Sequence, residues 1–191
     1  APIPMTPQVS HLRVNYATIS IDRSFHAERP IPEDMSWWAL PTTADVGIRA
    51  FSLNASGAMS EAALGLQSLQ QTSPIDQSLL QSANISYWEV EAPGGDLARG
   101  LVKWLEEVLF KGQEEGQWLV ESSVEIVGDT ISAQVSWVES DSVELGLEVK
   151  AITLHELVMR EIGENELVRG IEPEIPSFQG PGWMAQVILD I

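Results

Sequence analysis

Two carboxylate groups stand next to each other at the end of the sequence, where Asp190 is followed by Ile191. The preceding run, residues 183–189, is apolar except for Gln186, which is typical of a strand that is buried on both faces. We expect the rigid strand to hold the Asp190 side chain and the α-carboxylate of Ile191 close together, where they repel each other unless a cation lies between them. The simpler interpretation is a charged strand end that points into water, which is the more common fate of charged termini.

Three further residues are candidates for chemistry. Asp45 stands directly before a strand-like run at 46–53, where an aspartate commonly serves as a turn or cap residue. Lys150 is the isolated basic residue of a strand-like segment at 148–160, and in so acidic a chain it could also be an ordinary salt-bridge partner. His155, in the same segment, is expected to be a structural, half-buried strand residue.

The common catalytic motifs are missing from the sequence. It contains no glycine-rich phosphate-binding loop, no Ser/His/Asp arrangement and no zinc pattern. His11 and His26 lack acidic neighbours at ligand spacing, and single histidines of this kind are usually surface residues.

Composition narrows the choice of partners. With 10 basic and 28 acidic residues the chain carries a net charge of −18, which repels phosphate backbones and disfavours direct binding of nucleic acid. A basic protein partner or bound cations fit this charge better. The hydrophobic content of 44% and the seven tryptophans are typical of a globular protein.

The same composition bears on the cellular compartment. The chain has no cysteine, which fits a reducing compartment. It also has no basic-then-apolar signal segment and no apolar run of about 18 residues that could span a membrane. We therefore expect a cytoplasmic protein without a membrane partner.

The chain divides into an N-terminal extension and one domain. Residues 1–36 contain five prolines and a single strand-like run at 14–21, so we expect an irregular extension that packs at most one strand on the body. Residues 37–191 are long enough to form one domain with its own core.

Two helices are predicted in this domain. The clearer one covers residues 96–111, with Asp96 as the N-terminal cap and one apolar stripe. The other covers residues 58–71, with Ser56 or Gly57 as the cap. The stripe of the clearer helix consists of Leu97, Leu101, Trp104 and Val108.

Strand patterns occupy most of the remainder. Residues 84–91 have strand composition, and residues 118–127 and 130–138 form a predicted hairpin around Gly128-Asp129, a dipeptide that suits a two-residue turn. Residues 148–160 are predicted to be one further strand. The proline- and glycine-containing residues 162–181 are predicted to be a mobile connection to the final strand.

Taken together, four segments resemble the archease family. They read T-A-D-V-G-I-R-A at 43–50, D-L-A-R-G-L-V-K-W-L-E-E-V-L-F at 96–110, E-V-K-A-I-T-L-H at 148–155 and G-W-M-A-Q-V-I-L-D-I at 182–191. They occur in the family's order and span roughly residues 38–191. The first and last segments together are specific, whereas the helix alone would be a weak signal.

The resemblance implies a fold and a function. The fold is of the α/β (α+β) class, with mixed sheets and two packed helices, in which one strand–helix–strand–strand unit is inserted in another. Archeases are protein cofactors of the RtcB-type tRNA-splicing ligase; they promote guanylylation of the ligase's active-site histidine and multiple turnover, and they are not themselves enzymes. We therefore expect an RtcB-type ligase as the partner.

The resemblance also implies a metal site. The family's ligands are the aspartate of the T-A-D motif, the penultimate aspartate and the C-terminal carboxylate, which correspond here to Asp45, Asp190 and Ile191. Three oxygen donors suit a hard divalent cation better than zinc, and we expect Ca²⁺ in preference to Mg²⁺. Lys150, in the family's K-A-x-T motif, is a further functional candidate. The chain departs from the family in Thr42, where a histidine is usual.

Two other classes of function remain open at this stage. A metal-dependent phosphoester hydrolase would use the cation to activate water, but no second histidine or general base stands at motif spacing. A chaperone-like module that binds other proteins is compatible with the strong negative charge.

Overall fold

The computed structural model describes residues 37–40, 42, 45–171 and 175–191. The predicted N-terminal extension at 1–36, with its strand-like run at 14–21, lies outside the described residues. The helices of the described part are α1 (Ala55–Gln70), α2 (Gln77–Gln81) and α3 (Leu97–Gln113). Its strands are β1 (Trp37–Leu40), β2 (Val46–Ser52), β3 (Asn84–Glu91), β4 (Gln117–Val127), β5 (Thr130–Glu139), β6 (Ala151–Ile152), β7 (Val158–Ile162), β8 (Leu167–Val168), β9 (Phe178–Gln179) and β10 (Gly182–Asp190).

The last strand, β10, is the centre of the main sheet. One edge of β10 pairs with β2, which pairs in turn with β1, and the other edge pairs first with β7 and then with β6. A second sheet has the order β3–β5–β4, and β8 pairs with β9 in a short ribbon. Each of these pairings is antiparallel. The strand at the end of the chain is therefore held from both sides.

The order of the elements confirms the predicted α+β class and the inserted unit. The segment β3–α3–β4–β5 forms the second sheet and its helix, and it lies in the chain between α1 and β6. The strands on either side of it, β2 before and β6, β7 and β10 after, all belong to the main sheet. One strand–helix–strand–strand unit thus interrupts another.

The main core lies between the two larger sheets and the two long helices. Leu66 of α1 and Trp104 of α3 are fully buried there beside Ile48 of β2 and Val187 of β10. The indole nitrogen of Trp104 donates to the carbonyl of Met59 on α1 at 3.1 Å, so the polar atom of this large side chain is satisfied inside the core. The apolar stripe predicted for α3 is therefore confirmed.

The helix caps are only partly as predicted. Asp96 caps α3 by accepting from the amides of Ala98 at 2.9 Å and Arg99 at 3.2 Å. The cap of α1 is Asn54, which accepts from the amide of Gly57 at 2.8 Å. The prediction of Ser56 or Gly57 as the cap was therefore wrong, because the helix starts about one turn before its apolar periodicity becomes visible.

The segment at 148–160 is not one strand. It contains β6 and the start of β7, separated by a turn in which Glu156 adopts a positive φ of 49°. His155 lies exposed in this turn, so the expectation of a half-buried strand residue was wrong. A pattern of strand-forming residues does not reveal such a break, because the turn is fixed by the main chain and by contacts with β10.

The described parts of the connection, residues 162–171 and 175–181, are more ordered than their composition indicated. It contains the β8–β9 ribbon, and Phe178 of this ribbon stacks on Phe51 of β2 with ring centroids 4.6 Å apart. Ile175 packs with Leu40 and Ile188 in a second small cluster. The connection therefore covers the face of the main sheet that the helices leave open.

Candidate metal centre

Strands β2 and β10 bring Asp45 and Asp190 to the same end of the main sheet. Their last recorded pair is Val46 with Leu189. Continued by one residue, this antiparallel register sets Asp45 opposite Asp190, and opposed residues on neighbouring strands have their Cβ atoms about 5 Å apart on one face. Both aspartates are exposed. The two residues are separated by more than 140 positions in the sequence, and this pairing brings them to the same end of the sheet.

A short turn orders the chain just before β2. The amide of Asp45 donates to the hydroxyl of Thr42 at 3.2 Å, and that hydroxyl donates to the carbonyl of Asp45. Thr42, which stands where the family usually has a histidine, thus fixes the main chain of Asp45 and leaves the Asp45 carboxylate facing solvent. This hydroxyl–backbone arrangement is a common way for threonine to stabilise a turn.

A close contact beneath the two aspartates explains Gly47. This residue pairs with Leu40 on one side and with Ile188 on the other. A Cβ atom on Gly47 would lie 2.7 Å from the Leu40 Cβ and 2.9 Å from the Ile188 Cδ1, so only glycine allows these side chains to close over it. The apolar cluster under the aspartates depends on this close packing.

Lys150 lies beside the end of β10. Its amide donates to the carbonyl of Asp190 at 2.8 Å, and its Nζ donates to a main-chain oxygen of Ile191 at 3.0 Å. The side chain of Ile191 is partly buried against the main core. Two contacts from one lysine therefore hold the main chain of the last two residues, and the Lys150 ammonium lies next to the Ile191 oxygen.

The donor set at this end of the sheet fits a hard divalent cation. Asp45, Asp190 and Ile191 offer oxygen donors alone, which are the ligands that Ca²⁺ and Mg²⁺ prefer. The two aspartates carry formal charges of about −2 and Lys150 about +1, so a divalent cation would offset the repulsion that remains between the carboxylates. Within the described ranges no group of three or more His, Cys, Asp or Glu side chains could hold a metal, so Asp45 and Asp190 have no third side chain of these types beside them.

A buried arginine and a buried glutamine join the same two strands, four residues along each strand from Asp45 and Asp190. Arg49 of β2 is opposite Gln186 of β10, and its Nε and Nη2 both donate to the Gln186 Oε1, at 2.9 and 2.7 Å. The Gln186 amide nitrogen in turn donates to the carbonyl of Glu156 at 2.9 Å. Burial lowers the pKa of the Arg49 guanidinium, whereas the nearby charge of Glu156 acts in the opposite direction.

Sequence reasoning missed this pair. Gln186 is the single polar residue of an otherwise apolar run, and Arg49 is the single charged residue of β2, so both departures from the strand pattern were visible. Nothing in the sequence indicated that the two side chains would meet. His155, by contrast, takes no part in the group formed by Asp45, Asp190, Ile191 and Lys150.

Comparison with known proteins gives a family and a fold. The model of the Archease protein family (MTH1598/TM1083) matches residues 37–191. The solution structure of protein 1598 from Methanobacterium thermoautotrophicum is similar, with a TM-score of 0.51, 22% sequence identity, and coverage of 83% of this chain and 99% of that chain. Nothing among the curated proteins matches the chain. Since the family model matches most of its residues, the chain belongs to the archease family.

Proposed function

We propose that this protein activates an RtcB-type tRNA-splicing RNA ligase. It promotes guanylylation of the ligase's active-site histidine and so sustains multiple turnover, and it acts as a protein cofactor that does not carry out ligation itself. The family to which the chain belongs supports the general role of a ligase activator. In this proposal the ligase is a cytoplasmic partner, and the acidic chain does not bind the RNA directly.

The observation that carries the proposal is the register of β2 and β10. It supports a site in which Asp45 and Asp190 bind one divalent cation from opposite strands, with an oxygen of Ile191 as the third ligand. Ca²⁺ is preferred to Mg²⁺, because a solvent-exposed set of carboxylates does not impose the strict octahedral geometry that Mg²⁺ requires. Lys150 orients the Ile191 oxygen through its 3.0 Å hydrogen bond.

The site is suited to act on a partner's phosphate groups. Both aspartates are exposed, so the site is on the surface that the protein would offer to the ligase. When bound, a hard divalent cation supplies positive charge that can coordinate phosphate oxygens. The residues of this chain bind that ion and hold it at the end of a sheet whose central strand is paired on both sides.

The test is multiple-turnover RNA ligation by the cognate RtcB-type ligase, with guanylylation of the ligase histidine followed in parallel. We expect the protein to stimulate both reactions, and Asp45→Ala and Asp190→Ala to lose the stimulation along with Ca²⁺ binding measured by calorimetry. Two residues appended after Ile191 should have the same effect, because they displace the terminal oxygen. Asp129→Ala is the matched control, since Asp129 lies in the β4–β5 turn of the second sheet and not beside β2 or β10.

Two results would contradict this proposal. If the protein fails to stimulate a ligase that is otherwise active, the activator role is wrong. If the ligase is stimulated equally by the protein and by the two aspartate variants, the carboxylate site has no part in activation.

A further inference from the structure

An open groove of about 270 Å³ lies between α3 and β6, next to the candidate metal centre. Leu109 and Phe110 of α3 and Ile152 of β6 form its apolar part. Leu109 and Ile152 are buried, whereas Phe110 is 48% exposed and presents its ring to solvent. Half-exposed aromatic side chains beside a concave surface are typical anchor points for a protein partner.

The groove has an acidic rim. Glu106 and Glu114 line it from α3, and both are exposed. Glu106 accepts from the ammonium of Lys103 at 2.9 Å, while Glu114 has no ion pair with any of the described residues. A partner segment that inserts an apolar side chain flanked by a lysine or arginine would therefore find its charge complement at Glu114, on the α3 side of the groove, whereas Lys150 lines the β6 side.

Lys150 connects the groove with the candidate metal centre. It lines the groove and at the same time donates to the Ile191 oxygen at 3.0 Å. The positive charge of Lys150 is thus directed toward the end of β10. A segment that fills the groove would therefore contact Lys150, whose ammonium lies 3.0 Å from the Ile191 oxygen, so docking there would place the partner near the end of β10.

We infer that this groove is the surface on which the ligase docks, and that it takes an apolar side chain next to a basic residue of the ligase. The inference rests on the proposed function, because the occupant is the same ligase. It assigns separate roles to the two parts of this surface: the groove provides affinity and orientation for the ligase, and the carboxylates bind the cation. A protein with a net charge of −18 attracts a basic segment over a long range, and the apolar groove then fixes where that segment binds.

The experiment measures three quantities for each variant of the full chain: the Kd for the ligase, the Kd for Ca²⁺ and the stimulation of ligation as a function of protein concentration. We expect Phe110→Ala and Glu114→Lys each to weaken ligase binding about tenfold or more. Ca²⁺ binding should be unchanged, and stimulation should recover at saturating protein. Tyr87→Ala is the matched control, since Tyr87 is 78% exposed on β3 and does not line the groove.

The outcomes separate the inference from the proposed function. If the wild type binds and stimulates the ligase while both groove variants bind it equally well, the groove is rejected and the activator role stands. If Tyr87→Ala weakens binding and the groove variants do not, the ligase docks on the three-stranded sheet and the inference is wrong. If the wild type neither binds nor stimulates the ligase, the proposed function fails and the inference fails with it. Both groove positions are exposed, so each variant should retain the fold.

Discussion

At the scale of single residues, the charge of Lys150 sets the electrostatics of the candidate metal centre. Its Nζ lies 3.0 Å from an Ile191 oxygen, so it neutralises part of the negative charge that would otherwise attract a cation. The same contact orders that oxygen. These two effects act on cation affinity in opposite directions. The Coulomb effect should dominate, because the hydrogen bond from the Lys150 amide to the Asp190 carbonyl is made by the main chain and remains after a side-chain substitution.

We therefore predict that Lys150→Met tightens Ca²⁺ binding. Removing one positive charge several ångströms from the ion should lower the Kd about three- to tenfold. Isothermal calorimetry at low ionic strength measures this directly. Lys103→Met makes the same change in net charge at an exposed α3 position and should leave the Kd nearly unaltered. Weaker Ca²⁺ binding by Lys150→Met would instead assign the lysine an orienting role that outweighs its charge.

At the scale of elements, the β2–β10 pair holds Asp45 and Asp190 in register. Arg49 and Gln186 join the two strands four residues from the aspartates, on the same face of the sheet. Gly47 lies between the two pairs and allows Leu40 and Ile188 to approach closely. A buried guanidinium that is bonded to a neutral amide is sensitive to the loss of its partner, since the remaining group is left desolvated and unpaired.

We predict an asymmetric double-mutant cycle for Arg49 and Gln186. Arg49→Met should lower the free energy of unfolding by about 1–3 kcal/mol, because the Gln186 oxygen loses two donors. Gln186→Met should cost about 3 kcal/mol or more, because the buried guanidinium loses two hydrogen bonds and keeps the longer one from its Nη1 to the Arg169 carbonyl at 3.4 Å. The loss in the free energy of unfolding of the double variant should be smaller than the sum of the two single losses by about 1–3 kcal/mol. Urea unfolding measures all three, and strictly additive losses would show that the two side chains do not stabilise each other.

At the scale of the whole molecule, the net charge of −18 opposes compaction. The described ion pairs are few and exposed or partly exposed, so they offset little of this repulsion. Stability must come chiefly from the core between the two larger sheets and the helices α1 and α3. None of the described helices is long and apolar enough to cross a membrane.

We predict that salt stabilises the fold. The Debye length falls from about 10 Å at 0.1 M to about 3 Å at 1 M, which screens the mutual repulsion of the carboxylates. The midpoint of thermal unfolding should therefore rise between these concentrations of NaCl, by about 2–4 °C for each kcal/mol gained. The measurement is made with a chelator present, so that divalent cations do not contribute, and KCl should act equally. A constant or falling midpoint would show that self-repulsion is not significant.

Elements with strong local signals could be predicted from the sequence. The α3 stripe, the Asp96 cap and the β4–β5 hairpin at Gly128 follow from patterns among residues near each other in the chain, as does the strand composition of β3, and all four are present. The resemblance to archeases supplied the inserted topology and named Asp45, Asp190, Ile191 and Lys150. The break at His155 and the order of the described residues within 162–181 could not be predicted, because long-range packing determines both. The α1 cap was missed although the contact of Asn54 with Gly57 is local, because the helix begins before its apolar periodicity does.

By itself, the sequence determined the family, the fold class and the chemical type of the groups at the end of the chain: carboxylates, in an acidic protein without cysteine. Only the tertiary structure decided that β2 and β10 bring Asp45 and Asp190 to the same end of the sheet, that Arg49 meets Gln186, and that Phe110 and Lys150 share a groove. The physical reason is that the register of β10 is fixed by burial on both of its faces and by its pairing with β2, a segment more than 100 residues away. No local sequence pattern encodes such a pairing.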